Sequence, residues 1–147
     1  MKFKLIIDQS KDEEVVATVH NRSDLTAQIE ELVLRYSGAD KIPVYNEDDR
    51  LMLPFHQIEC ITVQGGKTYA IDGRGDRYRI RQRLYEVEKI LPACFIRINK
   101  SSLANENRLE RFQASFSGAV DAVFKCGYTE YVSRRCFAEI KRRFDSK

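Results

Sequence analysis

The chain has 147 residues, 43% of them hydrophobic and 10% aromatic, which suffices for one core with a small appendage. No apolar run approaches the roughly 20 residues of a spanning helix. The start Met1-Lys2-Phe3-Lys4-Leu5-Ile6-Ile7-Asp8 is too short and too soon acidic for a signal peptide, so a cytoplasmic protein is expected.

The net charge of +3 is unevenly placed. Residues 1–40 hold five Lys/Arg against eight Asp/Glu (−3), and residues 41–147 hold twenty against fourteen (+6). An acidic head thus precedes a basic body that could face an anion. Cys60, Cys94, Cys126 and Cys136 lie 34, 32 and 10 positions apart, and only His20 and His56 could join them as imidazole ligands. That is not zinc spacing, so reduced, mostly interior thiols are expected, with no metal and no cofactor.

Taken in order, residues 2–7 alternate and then turn apolar, as a strand does. Asp8–Asp12 is a polar turn, and residues 15–19 read as a second strand completing a hairpin. Ser23 or Asp24 offers an N-cap oxygen. Leu25, Ile29, Leu32, Val33 and Tyr36 then recur on one helical face, with Glu30 and Glu31 outside it, and Ser37-Gly38 stops the helix. Residues 1–40 therefore read as a β-β-α unit for packing or oligomerisation, with ligand sensing as the second reading. The unit is too short, and lacks the acidic cluster, to be a phospho-accepting receiver domain.

Residues 41–147 read as a second, β-rich unit. Strands are expected at 42–45, 50–53 and 58–63, and after the Gly65-Gly66 hairpin tip at 67–72. In the next strand Arg77, Arg79 and Arg81, with Arg83 at its end, share one side, because side chains two apart face the same way. Such a ladder can follow phosphates, or it can solvate a sheet face. Residues 84–91 make an amphipathic helix that Pro92 stops. Phe95-Ile96-Arg97-Ile98 is a strand leading to the polar corner Asn99-Lys100-Ser101-Ser102. Strands from 108 to 112, 119 to 125 and 128 to 133 follow, and a helix closes the chain with Phe137, Ile140 and Phe144 on one face.

The run Phe95, Arg97, Asn99, Lys100, Ser101, Leu103, Asn105 resembles the signature of the LytTR DNA-binding domain. That family's sequences look like Phe-x-Arg-(apolar)-(His, Ser or Asn)-(Arg or Lys)-Ser-x-(apolar)-(Ile or Val)-Asn. Ala104 is smaller than the usual β-branched residue. A second family feature, a glycine turn and a strand ending in Ser-Arg-Arg, is matched by Gly127 and Ser133-Arg134-Arg135. The resemblance spans roughly residues 42–147.

It implies a mainly β (α+β) fold, an elongated stack of small antiparallel sheets with short helices. It also implies a bacterial transcription regulator that reads double-stranded DNA through loops in the major groove. Base readers carried over from the family are Lys100, Arg135 and, more loosely, Lys67. Lys donates a single point of charge to guanine O6 or N7, whereas the Arg fork bridges both. Phosphate contacts would fall to Arg97, Ser101, Ser102, Ser133, Arg134 and the ladder residue Arg79. Arg97 could equally be a structural ion pair, and Asn105 reads as a local backbone hydrogen-bonder. The resemblance further implies a homodimer on promoter repeats and, for a standalone regulator with so short a head, a membrane-protein inhibitor. No catalytic motif or small-molecule substrate is expected. The competing reading is a non-enzymatic β-rich interaction module that binds an acidic partner.

Overall fold

The computed structural model describes residues 1–37 and 40–145. Strands β1 (Lys41–Asn46), β2 (Asp49–Pro54), β3 (Ile58–Gln64), β4 (Lys67–Asp72), β5 (Arg77–Ile80), β6 (Phe95–Asn99) and β7 (Ser102–Asn105) build one antiparallel sheet. Its strand order is β2-β1-β5-β4-β3-β7-β6. Strands β8 (Leu109–Ala114), β9 (Val120–Phe124) and β10 (Thr129–Val132) form a second, three-stranded antiparallel sheet. Helix α1 (Asp24–Ser37) precedes both sheets, α2 (Leu84–Ile90) joins β5 to β6, and α3 (Arg134–Asp145) follows β10. The mainly β class expected from the spacing of turns and short strands is the class observed. Among the described residues no helix is long and apolar enough to cross a membrane.

Each face of the large sheet carries its own core. On one face Ile42, Val44, Ile58, Ile61, Ala70 and Ile80 pack under Leu84 and Val87 of α2. Full burial of such side chains is worth about 1.5–3 kcal/mol each. Phe55 and Phe95 meet edge to face there, with ring centres 6.3 Å apart. On the other face Cys60, Ile71, Ile96, Ile98 and Ala104 meet Ala122, Phe124 and Val132 of the small sheet and Ile140 of α3. Strands β3, β6 and β7 are therefore covered on both sides. The side chain of Phe144, expected beside Ile140, lies outside the described residues.

A buried carboxylate ties the two sheets together. Glu59 on β3 is 0% exposed; it pairs with the Arg108 guanidinium and accepts a 3.0 Å hydrogen bond from the Cys126 N–H in the β9–β10 turn. Lys125 N in turn donates to the Arg108 carbonyl at 3.0 Å, which fixes that turn against the start of β8. A buried charge is tolerable only when paired and hydrogen-bonded, and here both conditions hold.

The head departs from expectation. The strands expected over 2–7 and 15–19 do not form, and their side chains stand exposed. Only the intervening turn takes shape: Asp8 Oδ1 accepts from Ser10 N (3.0 Å) and Ser10 Oγ (2.6 Å), and Lys11 N donates to the Asp8 carbonyl (3.3 Å). The physical reason is that a lone two-stranded ribbon buries neither face, and no third layer lies over it. The helix does form where its cap residues place it, with the Ser23 carbonyl accepting from Ala27 N at 3.2 Å. Its orientation departs from the expected one: Ala27, Glu30 and Leu34 turn inward, Ile29 alone of the expected face is half-buried, and Leu25, Leu32, Val33 and Tyr36 face solvent. Gly38, expected as its stop, lies outside the described residues.

Arg22, just before α1, anchors the helix to the body through Glu106 (3.2 Å) and the Ala93 carbonyl (3.3 Å). Cys94 sits beneath that contact. Burial, and then the carboxylate of Glu30, pushes its thiol up to about 11. At pH 8 the thiolate fraction is then about a hundredfold below that of an ordinary thiol. Pulse alkylation read by mass spectrometry should therefore label Cys94 far more slowly in the native chain than in the denatured one. Equal rates would mean that α1 does not cover it.

Candidate nucleic-acid interface

Two turns meet at one end of the large sheet because β3 pairs with both β4 and β7. In the β3–β4 turn Gly65 and Gly66 both take positive φ, 59° and 77°. Those are the left-handed conformations that a two-residue hairpin turn needs and that glycine adopts without a Cβ clash. Lys67 leaves this turn exposed.

The neighbouring β6–β7 turn is built around Asn99. Its Oδ1 accepts from Ser101 N at 2.7 Å, and its Nδ2 donates to the Tyr131 carbonyl at 2.6 Å. A bulge between Arg97 and Asn99 makes this possible, since an extra residue flips the following side chain to the other face. The Ser101 carbonyl accepts from Val63 N at 2.9 Å, locking the turn to β3. Arg97 donates to the Lys100 carbonyl at 2.9 Å and pairs with Glu88 of α2. The turn is thus held from several sides, while the Lys100 side chain projects from it, exposed.

A third segment joins these two. Ser133 N donates to the Ile98 carbonyl at 2.9 Å, so the start of α3 is fastened to β6. The Ser133 hydroxyl accepts from Cys136 N at 3.2 Å and its carbonyl from Phe137 N at 2.8 Å, which caps the helix. Arg134 and Arg135 follow at once, and the Arg135 side chain is 91% exposed, with Glu139 3.8 Å away. The positive end of the α3 dipole adds to their charge. The segments bearing Lys67, Lys100 and Arg135 are therefore linked by backbone and Asn99 bonds into one cationic edge.

One expected phosphate contact, Ser102, is corrected, and the others differ in their surroundings. Ser102 is fully buried and its hydroxyl hydrogen-bonds Thr62 at 2.8 Å, because β7 is flanked on both sides by strands and buries every side chain. Arg97 braces the Lys100 turn and α2, the structural ion pair that its sequence position also allowed. Ser133 is half-buried and accepts from Cys136 N at the helix cap, which leaves its O–H free to donate. Ser101 is half-buried, and Arg134 is exposed. Asn105 behaves as read: its amide donates to the Ile58 carbonyl at 2.9 Å and its oxygen accepts from Asn107 N at 3.0 Å.

The arginine ladder is shorter than its sequence suggested, since β5 ends at Ile80. Arg79 lies opposite both Tyr69 and Tyr45 in register. Arg77 stacks over Tyr69 at 4.2 Å and also donates to Gln64 at 2.8 Å, while Arg81 stacks over Tyr45 at 4.0 Å. Arg83 stands before α2, its N–H donating to Glu86. These tyrosine partners were invisible in the sequence, because β1, β4 and β5 come together only in the sheet. A groove of about 820 Å³ between the 117–119 turn and α3, lined by Arg134, Lys141 and Arg142, was also missed. The density of Lys and Arg in α3 was its one available signal.

Comparison with known proteins bears on the family and the fold. The model of the LytTr DNA-binding domain family matches residues 48–145. Over 145 residues, 97% of both chains, the sequence is 28% identical to an uncharacterised HTH-type transcriptional regulator of Staphylococcus aureus (strain bovine RF122 / ET3-1). A second such regulator of S. aureus (strain NCTC 8325 / PS 47) is 37% identical over 67 residues, 46% of each chain. The fold is similar to the LytTr DNA-binding domain of a putative methyl-accepting/DNA response regulator from Bacillus cereus. That likeness has a TM-score of 0.65 at 19% identity, covering 71% of this chain and 96% of that one. In this chain α2 and α3 are separated by five strands, so they do not form a helix-turn-helix pair. The matched span, the two ordered motifs and the fold agree: this chain belongs to the LytTr DNA-binding domain family.

Proposed function

We propose that this DNA-binding regulator recognises specific sequences in duplex DNA by inserting the loop-borne cations Lys100 and Arg135, with Lys67 beside them, into the major groove. The observation that carries this reading is the tying of three separate segments into one edge by Val63–Ser101, Asn99–Tyr131 and Ser133–Ile98. Loop ends can enter a groove about 12 Å wide, and each presents an unburied cation to guanine acceptors. Arg134, Ser101 and the Arg79 face would lie along phosphates, where charge gives affinity without sequence information. Arg97, by bracing the Lys100 carbonyl, acts as a positioning residue. We further propose that residues 1–40 serve packing and oligomerisation while residues 41–147 read DNA, two copies occupying paired promoter repeats in the cytoplasm. A membrane-protein inhibitor remains part of this proposal through the family resemblance alone.

Selection of bound duplexes from random DNA with the purified chain, followed by footprinting, tests the reading. A shared motif, protected as two spaced repeats, is expected, with affinity falling steeply as salt rises because neutralised phosphates release counterions. Enrichment of no motif would defeat sequence-specific readout. Protection of a single repeat at all protein concentrations would defeat the two-copy arrangement.

A further inference from the structure

The apolar surface of the chain is concentrated at one end. Of eighteen large hydrophobic side chains exposed among the described residues, twelve belong to positions 1–36. So many exposed apolar side chains within one segment mark it as a contact surface. Helix α1 is turned to match, with Leu25, Leu32, Val33 and Tyr36 outward. An amphipathic helix normally buries that stripe, and here the body takes the opposite side.

We propose that residues 1–19 and the outward stripe of α1 are the contact through which two copies of this chain associate in the absence of DNA, each N-terminal segment lying against the other's. The segment is electrostatically self-complementary. Lys2 and Lys4 stand at its beginning, and Asp12, Glu13 and Glu14 in its second half. An antiparallel two-fold arrangement sets the cations of each copy against the anions of the other, and does so twice by symmetry. The same charges could face each other across the Asp8–Lys11 turn of one chain, but that ribbon would leave both faces bare. A second copy doubles the strands and brings a second α1 to cover them.

The size fits, since a stable pair uses roughly 20–30 residues a side and this region spans residues 1–37. An anionic lipid surface fits less well. Residues 1–20 hold three Lys against four Asp/Glu, whereas lipid-seeking segments carry an excess of cations. The proposal deepens the two-copy reading above, and its test contains no DNA, so failure of base readout and failure of this contact are seen separately.

The test is light scattering and sedimentation of the full chain and its variants, with circular dichroism and melting to confirm an intact body. The parent should be a dimer. Ile6→Asp and Leu32→Asp should each shift it to monomer while circular dichroism shows the body still folded, because both side chains are exposed in the single chain. Lys2→Glu/Lys4→Glu and Glu13→Lys/Glu14→Lys should each weaken self-association by about tenfold or more, as like charges meet. An equimolar mixture of these two charge variants should recover a mixed dimer, an outcome that pairing within one chain does not produce. A monomeric parent at its solubility limit overturns the proposal. So does a dimer indifferent to the apolar substitutions, failure of the mixture to associate, or association only with phosphatidylglycerol vesicles.

Discussion

Arg108→Met should destabilise the chain by about 3–5 kcal/mol, the loss typical when one partner of a buried ion pair is removed. Glu59 is fully enclosed, and Arg108 is its only cationic partner among the described residues; without it the buried carboxylate has lost its counter-charge. Arg108 itself is about a third exposed, so the reverse removal is milder. Glu59→Gln should cost about 1–3 kcal/mol: its amide oxygen can still accept from Cys126 N, but the charge-assisted bond to Arg108 is lost. The double variant should be more stable than Arg108→Met alone, because no unpaired charge is left inside. For a chain of this size several kcal/mol lowers the melting temperature by roughly 10 °C or more. Urea titration of the four proteins decides the matter. If Arg108→Met lost less than about 1 kcal/mol, the ion pair would not be what joins the sheets.

This staple also shows why part of the molecule was hidden in the sequence. Glu59 and Arg108 are 49 positions apart, and nothing local marks either as buried. What was legible is what local chemistry decides. Gly65-Gly66 requires a left-handed turn, Pro92 ends a helix, and alternating β-branched residues make strands wherever a neighbouring strand exists. The exposed cations Lys100 and Arg135, proposed above as readers, were legible through their ordered motifs. Ser102 was misjudged because a serine beside a turn looks exposed until β3 and β6 are known to flank it. Asn99 could not be assigned its bracketing role without the bulge that turns it toward Tyr131. The head strands failed for a different reason: residues 2–7 alternate and residues 15–19 are β-branched and apolar, but strands need partners, and the described residues of this chain provide none.

Replacing Lys100 or Arg135 with alanine should each cost roughly 1–3 kcal/mol on the selected DNA and much less on random DNA. Both side chains are exposed at the ends of braced segments, so truncation removes a base-edge donor without disturbing a core. Melting should therefore stay within a few degrees of the parent. Arg79→Ala provides the contrast. Arg79 is half-buried on a sheet face, opposite Tyr69 and Tyr45, with its Nε on the Ile80 carbonyl at 3.3 Å. A face of that kind can lie only along the groove wall, so its loss should weaken selected and random DNA about equally. It should also flatten the salt dependence by about one unit of slope. Arg97→Gln separates positioning from contact. With the Lys100 carbonyl and Glu88 no longer bridged, site preference should fall while the number of phosphates neutralised, and hence the salt slope, stays near that of the parent. Binding isotherms on both DNAs at two salt concentrations measure all four variants. If Arg79→Ala abolished site preference while Lys100→Ala and Arg135→Ala preserved it, the stacked arginine face would be the reader and the loop edge its anchor.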